Sequence, residues 1–182
     1  MNEILQKDLT RIIPNLSSSI DADDLLRHSI DALNPNRVFQ PIKNWPKLPK
    51  IVVRPKSTDE VVKIMRFASK QGIPVLPWGG GTGVMGAAVS TESGIILDLK
   101  SLNTIQYIDP IAQLTEVGAG IVLKDLNNSL KSHGMFLAHD PWSLPIATLG
   151  GAISTNGVGY LAGKYGPMGE QVIGLEVVLP SG

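Results

Sequence analysis

The chain has 182 residues, a formal net charge of zero from 16 basic and 16 acidic side chains, and no cysteine. Charge balance argues against nucleic acid as the main partner, because such proteins present a basic face, and the missing thiols exclude disulfides, cysteine-ligated metals and cysteine nucleophiles. Met1 to Arg11 carries Glu3, Lys7 and Asp8 in place of an apolar core, so it does not read as a secretory signal, and no stretch approaches the roughly 20 apolar residues of a membrane span; a cytoplasmic globular protein is expected.

Residues to about Asn34 are helical in pattern: Asp21 caps a helix in which Leu25, Leu26, Ser29, Ile30 and Leu33 recur near helical spacing. Asp23 and Asp24 are acids favoured by the dipole at its start. Asn34-Pro35-Asn36 breaks the pattern, and residues 37–50, with Pro41, Pro46 and Pro49, read as an extended connector. Ile51-Val52-Val53, between Pro49 and Pro55, reads as an outer strand. Ser57 and Glu60 form a capping box for a helix with Val61, Ile64, Met65 and Ala68 on one side, stopped at Gly72. Ile73–Leu76 is a strand that delivers the chain to a glycine cluster. Further β-type runs are Ile95–Leu99, Ile105–Ile108, Leu114–Val117 and Val172–Leu179, with a helix from about Val122 to Lys131.

The cluster reads Pro77-Trp78-Gly79-Gly80-Gly81-Thr82-Gly83-Val84-Met85-Gly86 and contains a literal G-x-G-x-x-G. A dinucleotide-binding βαβ unit needs a helix behind that motif, and the eight residues between Gly86 and Ile95 leave no room for one. A Walker loop is excluded because no Gly-Lys-Ser/Thr follows, and no Lys or Arg occurs between Lys70 and Lys100. Two readings stay open: a tight turn that binds nothing, or backbone N–H groups forming an anion nest for a pyrophosphate. A second stretch, Ser143-Leu144-Pro145-Ile146-Ala147-Thr148-Leu149-Gly150-Gly151 followed by Thr155-Asn156-Gly157-Val158-Gly159, is also without Lys or Arg. Two such regions suggest a long ligand threaded between them.

Taken in order, four stretches resemble the FAD-linked oxidases and dehydrogenases of the vanillyl-alcohol oxidase / p-cresol methylhydroxylase type, in the branch of glycolate oxidase FAD subunits, D-lactate dehydrogenases and alkyldihydroxyacetonephosphate synthases. They are Val53–Val61, Gly72–Gly86, Asp140–Gly151, and Lys164-Tyr165-Gly166 with Val172–Pro180. The resemblance implies an α+β fold, a p-cresol methylhydroxylase-type FAD-binding domain of two small α/β lobes, C-terminally incomplete. Its divisions would be a helical extension and connector (1–45), a lobe at about 46–99 and a second at about 100–182. It implies that Pro77, Trp78, Gly79, Gly80, Gly81, Thr82 and Gly83 wrap the FAD pyrophosphate. Trp142, Ser143, Leu144, Pro145, Ile146, Ala147 and Thr148, with Gly150 and Gly151, would line the flavin and ribityl chain. Thr155, Asn156, Gly157 and Val158 would continue that wall, and Tyr165, Gly166 and Ile173 would add contacts.

Departures from the pattern shape the expectation. Trp78 stands where relatives often have Arg, Thr82 where covalent flavoproteins can have His, and Asn156-Gly157-Val158-Gly159 replaces the usual Asn-Ala-Gly-Gly. Non-covalent FAD is therefore expected. In relatives the FAD domain continues and is followed by a substrate cap with the catalytic residues, so no general base is assigned here, and a complementary chain carrying a C-terminal half is a conceivable partner. The activity implied is oxidation of a small-molecule hydroxy acid such as glycolate or D-lactate. The alternatives are a non-catalytic flavin-binding module or inactive fragment, or alkyl-glycerone-phosphate synthase-like chemistry. His28, His133 and His139 match no metal spacing, and Asp98 and Asp109 read as turn or strand-end residues.

Overall fold

The computed structural model describes residues 2–33 and 46–182. Most of the expected connector lies outside the described residues. The chain divides into two units, Met1–Leu99 with Val177–Gly182, and Lys100–Glu176; the N-terminal segment read as an extension belongs to the first.

The first unit is a four-stranded sheet in the order β1-β2-β4-β3, with helices α1 (Asn2–Ile12), α2 (Ala22–Arg27) and α3 (Thr58–Gln71). Strand β1 (Ser17–Ser19), unforeseen in the helical pattern, pairs antiparallel with β2 (Ile51–Arg54). β2 and β3 (Val75–Trp78) both run parallel to β4 (Ile95–Asp98). Ile51-Val52-Val53 is thus an interior strand, correcting the outer position expected from its flanking prolines. Those prolines fall outside the ladder, and burial on both faces is why the run is continuously apolar instead of alternating.

Local signals mark the helix ends. Asp21 Oδ1 accepts from the N–H groups of Asp23 and Asp24, each at 3.1 Å. α2 stops at Arg27, short of the expected end near Asn34, and Asp31 Oδ1 takes the Leu33 N–H in a turn beyond it. Ser57 accepts from Glu60 N–H, and Glu60 reaches back to the Lys56 N–H at 2.7 Å. Gly72 closes α3 in the left-handed region, φ +62°. Residues 79–94, between β3 and β4, contain no helix, so the expectation that the glycine motif lacks a dinucleotide-fold helix is met.

The second unit pairs β5 (Ile105–Asp109) with β6 (Leu114–Val117) antiparallel, and Asp109 turns the hairpin by accepting from Ile111 and Ala112 N–H. Helix α4 (Leu123–Lys131) contributes Leu123, Leu126 and Leu130 to a core completed by Ile121, Ala147, Leu149, Ala152 and Met168. Two short helices follow, α5 (Leu149–Ser154) and α6 (Ala162–Tyr165). The strand expected at Val172–Leu179 does not form among the described residues: Ile173, Leu175, Val177 and Leu179 are 80, 63, 65 and 62% exposed. β-propensity measures fit to a neighbouring strand, and without one the residues stay unpaired.

Candidate functional site

The glycine loop leaves the sheet at the carboxyl end of β3, the edge at which open parallel sheets bind ligands. Gly81 has φ +63°, and a Cβ there would stand 2.5 Å from Trp78 Cζ2, so glycine is required for both backbone conformation and close approach. Among the described residues, none accepts a hydrogen bond from the backbone N–H groups of Gly79 to Gly83. These residues are partly exposed. A run of N–H donors with no acceptor among the described residues, in a partly exposed glycine-rich loop, is the donor chemistry of an anion nest.

Beneath the loop, the last residues of β2, β3 and β4 are Arg54, Trp78 and Asp98, and α2 adds Asp24. Arg54 Nη2 bonds both oxygens of Asp24 at 2.8 Å, and its Nε lies 3.3 Å from Asp98 Oδ2. His28, 2% exposed, places Nδ1 2.8 Å from the Asp24 carbonyl and Nε2 3.3 Å from Asp98 Oδ2. Its ring packs on Trp78 with centroids 4.4 Å apart. Burial opposes ionisation of Asp24, but hydrogen bonds from Arg54 and Ser19 and the charges of Arg54 and His28 outweigh it and hold the carboxyl below its ordinary value. Asp98 is a strand-end residue as expected, yet also a member of this buried charge cluster. Sequence reading missed His28 and Arg54 because their partners are distant in the chain; the visible signal was an Arg ending an otherwise apolar strand.

In the second unit, the residues expected along the flavin are fixed against the 119–124 segment. Leu123 N–H donates to Ala147 O at 3.0 Å, Leu149 N–H to Ile121 O at 2.9 Å and Gly150 N–H to Ala119 O at 2.7 Å. Ser143, Ala147 and Thr148 are buried, Leu144 packs on the core, and Pro145 is exposed. Thr148 is the N-cap of α5, its oxygen accepting from Gly151 N–H, so the expected loop through Gly150 and Gly151 is the first turn of a helix. Thr155 Oγ1 donates to Gly151 O at 3.0 Å. Asn156 is left-handed, φ +47°, and accepts from Gly169 N–H. Gly157 lies against His139, whose ring atoms would be about 3.0 Å from a Cβ there. Tyr165 packs edge-on to Phe136 at 5.9 Å, next to Gly166, whose φ is +75°. Trp142, Ile146, Val158 and Ile173 are 69, 58, 74 and 80% exposed. Burial lowers the titration point of His139 against the opposing charge of Asp140. His133 is exposed and bonded to Ser129 and Ser132. A surface cleft of about 420 Å³ in this unit, bordered by Lys100, Asn103, Asp125 and Ser129 among others, contains none of the expected site residues.

A glycine loop whose amides find no acceptor among the described residues, at the carboxyl edge of a mixed sheet, is an arrangement that can hold an anionic ligand, and sequence comparison gives the family. Residues 49–182 match the model of the FAD binding domain family, to which the chain belongs. It is 37% identical over 138 residues to the glycolate oxidase subunit GlcD of Bacillus subtilis, covering 76% of this chain and 29% of that protein. It is 40% identical over 132 residues to a D-lactate dehydrogenase of Archaeoglobus fulgidus, covering 72% and 29%. A solved alkyldihydroxyacetonephosphate synthase superimposes with a TM-score of 0.85 at 24% identity, covering 99% of this chain and 33% of that one. The fold is the p-cresol methylhydroxylase-type FAD-binding fold shared with solved flavin oxidases. The chain spans less than a third of the length of these curated relatives. Among the described residues, no helix is long and apolar enough to cross a membrane.

Proposed function

We propose that this chain is the FAD-holding part of an oxidoreductase that oxidises a 2-hydroxy acid such as glycolate or D-lactate, with FAD bound non-covalently. The observation that carries the reading is the run of N–H groups from Gly79 to Gly83, without an acceptor among the described residues, in a chain of the FAD binding domain family. These amides hold the pyrophosphate, and Gly81 keeps the backbone open to it. Trp142, Ser143 to Thr148 and Thr155 to Val158 bound the flavin and ribityl chain, Trp142 through its exposed ring. Bound FAD supplies the hydride-accepting chemistry. Thr82 has no ring nitrogen to form a covalent flavin link, and the hydroxy-acid substrate is supported by the names of the relatives.

The test is reconstitution of the full chain with FAD, followed by acid precipitation and anaerobic addition of glycolate or D-lactate. Retained flavin absorbance and release of all flavin on precipitation are expected; bleaching by a hydroxy acid would show that this chain alone carries the oxidation. No retention overturns the cofactor assignment. Retention without bleaching by any hydroxy acid overturns the oxidation by this chain alone and leaves a flavin-binding module.

A further inference from the structure

The sixteen residues from Gly79 to Gly94 have no helix or strand, and they follow β3, which among the described residues is an edge strand paired with β4 alone. Their shape therefore needs an anchor outside the sheet. The stretch His28–Asp31, which precedes the family-matched residues, meets Trp78 just before the loop and Gly83, Ala88 and Ser90 within it. His28 packs on Trp78, whose ring occupies the space beside Gly81. Asp31 Oδ2 accepts the Ala88 N–H at 3.4 Å and lies 3.4 Å from where a Gly83 Cβ would be. The Ser29 carbonyl accepts the Ser90 N–H at 2.9 Å.

We propose that His28 and Asp31 are positioning residues that clamp the Gly79–Ser90 loop in its phosphate-receiving shape, with Trp78 as the prop between His28 and Gly81. The functional significance of the clamp rests on the FAD reading above; its existence does not. The His28 ring can serve this purpose because both of its nitrogens are tied, one to the Asp24 carbonyl and the other to Asp98. Asp24 and Asp98 are in turn joined through Arg54, so α2, β2 and β4 jointly fix the ring. Asp31, 8% exposed, holds the far side with one oxygen on Leu33 N–H and the other on Ala88 N–H. A loop so held presents its amides without first having to order, and apparent affinity scales with the fraction of molecules already in the competent shape.

The experiment uses the full chain and three variants, His28→Leu, His28→Gln and Asp31→Ala. Amide spectra of the FAD-free protein are recorded, followed by FAD titration. His28→Leu and Asp31→Ala should broaden or split the resonances of Gly79–Gly83 and Ala88–Ser90 while those of Val61–Ala68 in α3 stay in place. Apparent FAD affinity should fall about tenfold, as expected if the competent fraction falls to about a tenth. His28→Gln, whose amide N–H can still donate to Asp98 but which has no second donor for the Asp24 carbonyl, should recover part of both. If His28→Leu does not fold, Asp31→Ala, which leaves the His28 cluster untouched, carries the same readout. Loop resonances unchanged in the folded variants, or disturbed equally in loop and α3, overturn the clamp. If the unaltered chain binds no FAD yet the variants loosen only the loop, the FAD reading fails and the clamp stands.

Discussion

The two glycine-rich stretches look alike in sequence and use glycine for different ends. From Gly79 to Gly83 the backbone donors find no acceptor among the described residues, and Gly81 turns into the left-handed region. From Gly150 to Gly157 the corresponding donors are largely consumed inside the unit: Gly150 N–H on Ala119 O, Gly151 N–H on Thr148, and Gly157 N–H on Ala152 O. There the missing Cβ admits a neighbour, Ala119 at Gly150 and His139 at Gly157. Composition alone cannot separate a loop whose amides stay open from one whose amides tie elements together; accounting for the backbone N–H groups can.

The sharpest way to break this comparison is Gly81→Val. A side chain there meets both a strained φ and the Trp78 ring, so FAD retention should disappear while far-UV circular dichroism is preserved; retention equal to that of the unaltered chain would refute the loop assignment. Gly150→Val should do the opposite. Its Cβ would lie 2.8 Å from Ala119 Cβ, and overpacking of this kind costs about 1–3 kcal/mol, measurable as a lower denaturant midpoint. A Gly150 variant that keeps its stability would show that the second stretch is not held by packing. Thr148→Val removes the α5 cap and should cost about 1 kcal/mol in the same measurement.

A smaller effect concerns His139. Because burial lowers its titration point below the ordinary value of about 6.5, the unfolded chain takes up the proton more readily than the native one. The associated stability is present above that pH and is lost as pH falls. His139→Gln should flatten this part of the pH dependence of thermal unfolding; an identical slope in both proteins would contradict it. Lys7→Ala, an exposed change on α1, should leave FAD retention and stability within about 0.5 kcal/mol of the parent.

Much of the framework is local and was legible in the residues. The Asp21 and Ser57 caps, the Gly72 stop, the α4 boundaries and the helix-free return from Gly86 to Ile95 depend on side chains a few positions apart, and the four ordered motifs were enough for the family. Tertiary structure decided the rest. β2 became an interior strand because β1 and β4 flank it, which two neighbouring prolines could not reveal. Val172–Leu179 stayed unpaired because strand formation needs a partner as well as propensity. The His28–Asp98 contact spans 70 positions and exists only because the sheet order sets the ends of β2, β3 and β4 beside α2. The sequence by itself determined that this chain belongs to the FAD binding domain family, since motif order carries that information. Which glycines remain open and which residues hold the loop was settled by long-range packing, which no local pattern encodes.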